Sequence, residues 1–165
     1  EKRLAVVTGA ARGIGRAIVL ELLKQGRIVA GLDLNAVQLA ELEKVVADAG
    51  YSVITKCVDI TKTEQLNEVM DELSKEYGGI GILVNNAGIT RDRLLMQMSD
   101  EEYDVLMSVN LRAAFMAKGG SSPNAEEQIR QNYQYQFSCG NYGSGRQRKL
   151  CREQGRPYRY DKVHS

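Results

Sequence analysis

The sequence predicts an α/β fold in which a doubly wound parallel sheet is covered by helices on both faces and stops after about four strands. Three observations predict it. Short apolar runs alternate with amphipathic stretches from residue 4 to residue 118, the rhythm of strand, helix, strand. A glycine-rich turn, TGAARGIG at Thr8 to Gly15, joins the first run to the first amphipathic stretch. An acidic residue, Asp33, follows the second run, eighteen positions beyond Gly15.

Leu4 to Val7 has the apolar continuity of a strand buried on both faces. Ile14 to Gln25 follows as a helix, and Gly26 stops it. A strand that runs through glycines straight into a helix brings free backbone N–H groups to a point where a pyrophosphate can meet them, which makes the arrangement Rossmann-like. Ile28 to Leu32 is the second strand, and Asp33 at its end stands where such a fold holds the adenosine ribose hydroxyls. Val37, Leu39, Leu42, Val45 and Val46 recur at helical spacing through Ala36 to Ala49, closed by Gly50. Ser52 to Val58 alternates as a third strand, which makes Cys57 a core thiol. Thr61 and Glu64 form a capping box for a helix whose inner face carries Leu66, Val69, Met70 and Leu73. Ile82 to Val84 is a fourth strand running into Asn85-Asn86-Ala87-Gly88. Ser99 and Glu102 cap a last helix with Tyr103, Leu106, Met107, Asn110, Leu111, Ala114 and Phe115 on one stripe.

The chain of 165 residues suffices for one domain with a core. It has no run of 18 or more apolar residues and no basic-then-apolar leader, so the expectation is a cytoplasmic protein with no membrane partner. Its three cysteines, Cys57, Cys139 and Cys151, have no metal-like spacing, and neither a disulfide framework nor a metal site is expected. The net charge of +1 conceals two unlike parts. Residues 1–118 carry 14 Lys+Arg against 17 Asp+Glu (−3), and residues 119–165 carry 8 against 4 (+4).

TGAARGIG, the Asp59-Ile60 pair after the third strand, NNAG at 85–88 and Asn110 within SVNL resemble the short-chain dehydrogenase/reductase family. Within it, NNAGITRDRLLMQMSDEEYDVLMSVNLRAAF at 85–115 is most similar to the 3-oxoacyl-acyl-carrier-protein reductases. The resemblance covers about residues 2–118. It implies an oxidoreductase that reduces a ketone to a secondary alcohol by hydride transfer in fatty acid synthesis, with an acyl thioester or other small ketone as substrate and a homo-oligomer, a tetramer, as the assembly. It also implies that Gly9, Gly13 and Gly15 line the pyrophosphate turn with Arg12 and Ile14 between them. Asp59 and Ile60 hold the adenine, and Asn86-Ala87-Gly88 pass beneath the cofactor ribose and nicotinamide. The cofactor is NAD or NADP. Asp33 accepts from the 2′-hydroxyl of NAD and repels the 2′-phosphate of NADP, whereas Arg12 could pair with that phosphate, so the balance leans to NAD.

In this family a tyrosine protonates the developing alkoxide, a lysine four positions later lowers its pKa, a serine bonds the carbonyl and an asparagine supports the proton relay. Asn110 matches the asparagine. The other three are missing from their places. Tyr158 and Lys162 have the right separation, but they lie far from any strand pattern with no serine at the required spacing before them, and read as coincidence. Residues 119–165 offer only Ile129, Leu150 and Val163 as branched aliphatic side chains, too few for a core, and form a second, non-native and disordered segment after the dinucleotide-binding segment 1–118.

Back-translation one base later gives that segment a different content. Gln131 to Gln136 permits Lys-Ile-Ile-Asn-Ile-Ser, and a further serine follows at Phe137. Lys149 to Arg156 permits Asn-Tyr-Ala-Ala-Ser-Lys-Ala-Gly. The hidden serine, tyrosine and lysine overlap Phe137, Leu150 and Gln154, thirteen and then four steps apart, as the family requires. The expectation is a slip of reading frame near Lys118 to Gly119, leaving a chain without Ser/Tyr/Lys chemistry, with impaired assembly and with Tyr103, Leu106, Met107 and Leu111 partly exposed. The alternative is a non-enzymatic dinucleotide-binding module with a disordered basic tail. Arginines, tyrosines and glycines mix in that tail, yet nucleic acid is not the expected partner.

Overall fold

A computed structural model describes residues 4–91, 95–113 and 131–134. Strands β1 (Leu4–Thr8), β2 (Ile28–Asp33), β3 (Ile54–Cys57), β4 (Ile80–Asn85) and β5 (Gln131–Gln134) form one sheet in the order β3-β2-β1-β4-β5, with every pairing parallel. Helices α1 (Gly13–Lys24), α2 (Ala36–Asp48) and α3 (Thr63–Tyr77) make the crossovers, and α4 (Asp100–Met107) follows β4.

β1 lies in the middle and all five of its residues are buried, four of them apolar, as a strand covered on both faces requires. Its side chains alternate between two cores. Leu4 and Val6 join Ala30, Leu32 and Leu83 against Leu66, Met70 and Leu73 of α3. Ala5 and Val7 join Val29 and Val84 against Val19 and Leu23 of α1 and Leu39, Leu42 and Val46 of α2. Each fully buried Leu or Val contributes about 1.5–3 kcal/mol relative to its exposed state, and the two-residue period of the strand is what divides them between faces. β3 is an edge strand tied down by polar contacts: the Thr55 hydroxyl donates to Glu43 of α2, and Lys56 Nζ donates to Glu72 Oε1 of α3 at 2.8 Å. That hydrogen bond, with the Glu72 charge, raises the Lys56 pKa.

The helical stripe expected on α2 is narrower than its apolar residues. Val37 and Val45 are exposed, because only positions 39, 42 and 46 share the face toward the sheet. Cys57 is exposed too, at the end of the edge strand, with Sγ 3.4 Å from the Leu34 carbonyl oxygen. The capping box at Thr61 and Glu64 does not form. The helix begins one residue later, with Lys62 as N-cap, because Thr61 is taken by Asp59. The box at Ser99 and Glu102 forms with both of its bonds. After α4 the backbone passes into a π-turn, Ser108–Arg112. α4 and the π-turn contribute no buried residue: Tyr103 and Leu111 are about half exposed, and Leu106 and Met107 are half-buried. An open groove there is lined by Asp104, Met107, Ser108, Leu111 and Arg112.

The fifth strand comes from beyond residue 118, where the sequence offers almost nothing to the scaffold. The backbone of Gln131–Gln134 pairs with Ile82 to Asn85 in an unbroken parallel register. Main-chain pairing needs no apolar side chain, so a Gln-Asn-Tyr-Gln segment can occupy a position its composition does not announce. Ala114 and Phe115 of the expected stripe, and Phe137, Cys139, Leu150, Cys151, Gln154, Tyr158 and Lys162 of the tail, lie outside the described residues.

Candidate functional site

The chain runs outward from β1 through β2 to β3 and then returns to the other side of β1 as β4. That reversal opens a crevice at the carboxyl ends of β1 and β4, where open parallel sheets take their ligands. Thr8 and Gly9 form one wall of it, and Asn86 and Ala87 form the other.

The turn after β1 is held by contacts that explain its composition. Gly9 adopts φ 63°, and a Cβ there would stand 2.8 Å from the Ala87 backbone. At Gly15, in the first turn of α1, a Cβ would overlap the Gly9 carbonyl oxygen. Gly13 is needed for conformation alone: its φ is 54°, and a Cβ would meet nothing within 4 Å. The N-cap of α1 is Arg12, which makes no side-chain cap hydrogen bond, and no acidic residue lies in the first turn. Arg12, Gly13 and Ile14 are exposed. The positive end of the helix dipole thus meets solvent beside arginine rather than carboxylate, an arrangement that favours an anion.

Thr8 joins the two walls. Its hydroxyl donates to the Val84 carbonyl oxygen (3.4 Å) and accepts from the backbone N–H groups of Asn86 and Ala87 (3.1 Å each). The Asn86 amide Nδ2 donates in return to the carbonyl oxygens of Thr8 and Gly9, both at 3.0 Å. Asn86 Oδ1 is buried with no hydrogen-bond partner among the described residues. Gly88 follows on the exposed rim.

Asp33, at the tip of β2, is half-buried and uses both carboxylate oxygens. Oδ2 accepts from Ala11 N–H in the glycine turn and Oδ1 from Asn35 N–H, each at 3.1 Å. Asp59 stands past the end of the neighbouring strand β3 as a turn aspartate. Its Oδ1 accepts from both the Thr61 hydroxyl (2.7 Å) and the Thr61 N–H (3.0 Å). The hydroxyl bond is the main cause of a lowered Asp59 pKa, against the opposing effect of burial. Ile60 packs against the α3-side core.

Asn110 lies in the π-turn, and its side chain turns back to the loop after β4: Oδ1 accepts from Ile89 N–H at 2.8 Å, and Nδ2 donates to the Ile89 carbonyl oxygen at 2.9 Å. A single π-turn in a helix often marks a functional position. The amide thus ties the π-turn to the loop after β4.

Sequence reasoning singled out the glycines but passed over two residues that hold them. Thr8 had a signal, a hydroxyl residue placed directly before the turn at the end of a buried strand. Arg16 had only its place one helical turn beyond Arg12; its Nε and Nη2 both donate to the Ala11 carbonyl oxygen, at 3.0 and 2.7 Å. Among the described residues no group of three or more His, Cys, Asp or Glu is placed to hold a metal ion, and no helix is long and apolar enough to cross a membrane.

Comparison with known proteins agrees with this geometry. The family profile described as short chain dehydrogenase matches residues 3–130. The 3-oxoacyl-acyl-carrier-protein reductase FabG of Thermotoga maritima is 37% identical over 115 residues, 70% of this chain and 47% of its own length. Hydroxyacyl-CoA dehydrogenase ChsB1 of Mycobacterium tuberculosis is 42% identical over 120 residues, 69% of this chain and 37% of its own. The chain therefore spans about half the length, or less, of the curated relatives it matches. Among solved structures, a metagenomic short-chain oxidoreductase in complex with NADP superposes with a TM-score of 0.77 at 26% identity, over 87% of this chain and 66% of that one. A short-chain alcohol dehydrogenase structure from Sinorhizobium meliloti gives 0.66 at 32% identity, over 72% and 47%. With its parallel sheet, its glycine turn and a family match over more than three quarters of its length, this chain belongs to the short-chain dehydrogenase family.

Proposed function

We propose that residues 1–118 are the dinucleotide-binding half of an NAD(P)-dependent ketoreductase of the 3-oxoacyl-acyl-carrier-protein reductase type, and that this chain lacks the other half of its active site. The observation that carries the first part is the uncapped, acid-free N-terminus of α1 at the sheet's reversal point, framed by Gly9, Gly13 and Gly15. The residues fit a dinucleotide. The first turn of α1 would take the pyrophosphate, Asp33 the adenosine ribose, Asp59 and Ile60 the adenine, and Asn86 to Gly88 the nicotinamide end. When bound, the cofactor supplies the hydride; the chain binds, orients and excludes water. Asp33 supports NAD, because a carboxylate there would accept from the 2′-hydroxyl of NAD and repel the 2′-phosphate of NADP. Arg12, exposed beside the turn, is the group that could relieve that conflict.

The second part rests on the tail. Its back-translated codons permit serine, tyrosine and lysine at family spacing when read one base later. The register of β5 adds support: the shifted frame permits Lys-Ile-Ile-Asn over Gln131 to Gln134, an apolar centre for the strand that pairs with the buried β4. In the frame-restored protein the exposed α4 face, with Tyr103 and Leu111, would be covered by a second subunit, and the substrate would be an acyl thioester. The test is the gene. Serine, tyrosine and lysine codons in the shifted frame, and restored reduction of an acetoacetyl thioester by the corrected protein, are expected. A shifted frame without those codons, or a 165-residue chain that reduces the thioester at an ordinary enzyme rate, contradicts the proposal.

A further inference from the structure

Three successive peptide groups of the glycine turn are pinned from outside it. Ala10 N–H donates to the Leu32 carbonyl oxygen (3.1 Å) and Ala11 N–H to Asp33 Oδ2 (3.1 Å), so β2 holds the first two. The third, between Ala11 and Arg12, is held by Arg16. Its Nε and Nη2 close on the Ala11 carbonyl oxygen as a fork, while its own backbone N–H donates to the Arg12 carbonyl oxygen (3.2 Å) as the first hydrogen bond of α1. In a trans peptide the carbonyl and the N–H point in opposite directions, and no peptide here is cis. Fixing the Ala11 carbonyl therefore fixes the direction of the Arg12 N–H, away from the Arg16 guanidinium.

This contact is electrostatically unusual for a structural brace. A guanidinium in the first turn opposes the helix dipole, and no carboxylate in that turn offsets it. The Asp33 carboxylate at the Ala11 N–H is the nearby negative charge, and an anion at the helix N-terminus would favour the guanidinium further. Resting on the dinucleotide reading above, we infer that Arg16 is a positioning residue for the cofactor's diphosphate. It holds the Ala11–Arg12 peptide in the binding orientation and adds positive charge behind it, while Arg12 remains free to contact the ligand directly.

The test compares two probes on the full 165-residue chain: ADP, which carries the diphosphate, and adenosine, which does not. Nuclear magnetic resonance titrations are run on the unsubstituted chain and on Arg16→Gln and Arg16→Lys. The expected result is a loss of about tenfold in ADP affinity for Arg16→Gln, the size of one charge-assisted hydrogen bond. A smaller loss is expected for Arg16→Lys, which keeps the charge but not the fork, with adenosine affinity unchanged in both. Equal losses for ADP and adenosine would make Arg16 a structural brace and overturn the inference, as would unchanged ADP affinity in both variants. An unsubstituted chain that binds neither probe overturns the dinucleotide reading itself, a result distinguishable from either.

Discussion

The side-chain amide of Asn110 spends both of its ends on one residue, Ile89, 21 positions earlier, accepting from its N–H and donating to its carbonyl. The pair joins the π-turn after α4 to the loop that leaves β4. Asn110→Leu removes a donor and an acceptor together and leaves both Ile89 groups unpaired in a half-buried place. A loss of about 2 kcal/mol in unfolding free energy is expected, with faster amide hydrogen exchange at Ile89. Unchanged exchange there would count against the contact.

Thr8 is the rivet between the two walls. Thr8→Val keeps the β-branched shape but leaves the N–H groups of Asn86 and Ala87 without their acceptor, at an expected cost of about 2–3 kcal/mol. Thr8→Ser keeps the hydroxyl and is expected to lose less than half as much. Denaturant unfolding of the two variants checks the difference.

Gly15 has no room for a side chain. Gly15→Ala would drive a methyl group into the Gly9 carbonyl oxygen, so the turn and α1 must separate. Destabilisation of about 3 kcal/mol or more is expected. Gly13→Ala, where a Cβ meets nothing, is expected to cost only about 1 kcal/mol, for its left-handed backbone. Similar melting points for the two variants would contradict this geometry.

Asp33 joins cofactor choice to the order of the turn. Asp33→Asn keeps one acceptor for Ala11 or Asn35 but removes the charge. The ratio of NADP to NAD affinity is expected to rise by about tenfold, the size of one charge-assisted contact. A ratio that stays constant would remove Asp33 as the selecting residue.

The lowered pKa of Asp59 fixes the sign of a pH effect. A carboxylate whose folded pKa lies below its unfolded value adds stability above the unfolded pKa and loses it as pH falls through the folded one. Thr61→Val removes the hydroxyl bond that is the largest cause, so stability should fall near neutrality and stay nearly unchanged in strong acid, and the acid limb between the two should flatten. An unchanged acid limb would assign it to other carboxylates.

Much of this architecture was legible in the sequence because apolar periodicity, helix stops and turn glycines act locally. β1, β2, α1, α2 and the Ser99 cap follow from neighbouring residues alone. What was not legible depends on partners distant in the chain. Whether Thr61 caps α3 or bonds Asp59 is a choice between two local hydrogen bonds that composition cannot rank. Cys57 has the pattern of a core residue, and its exposure follows from β3 being an edge, which only the strand order decides. Arg16 gave no signal because its partner is a main-chain carbonyl. β5 gave none because its pairing is carried by the backbone.

A chain that keeps the cofactor half of its site and lacks the chemical half should bind NADH without oxidising it, and a single titration tests this. NADH is added to the purified 165-residue chain, binding is read from nicotinamide fluorescence, and acetoacetyl thioester is then added while nicotinamide absorbance is followed. The expected result is saturable binding followed by no oxidation of NADH above the protein-free rate. Absence of binding, or steady oxidation once the thioester is present, would contradict it.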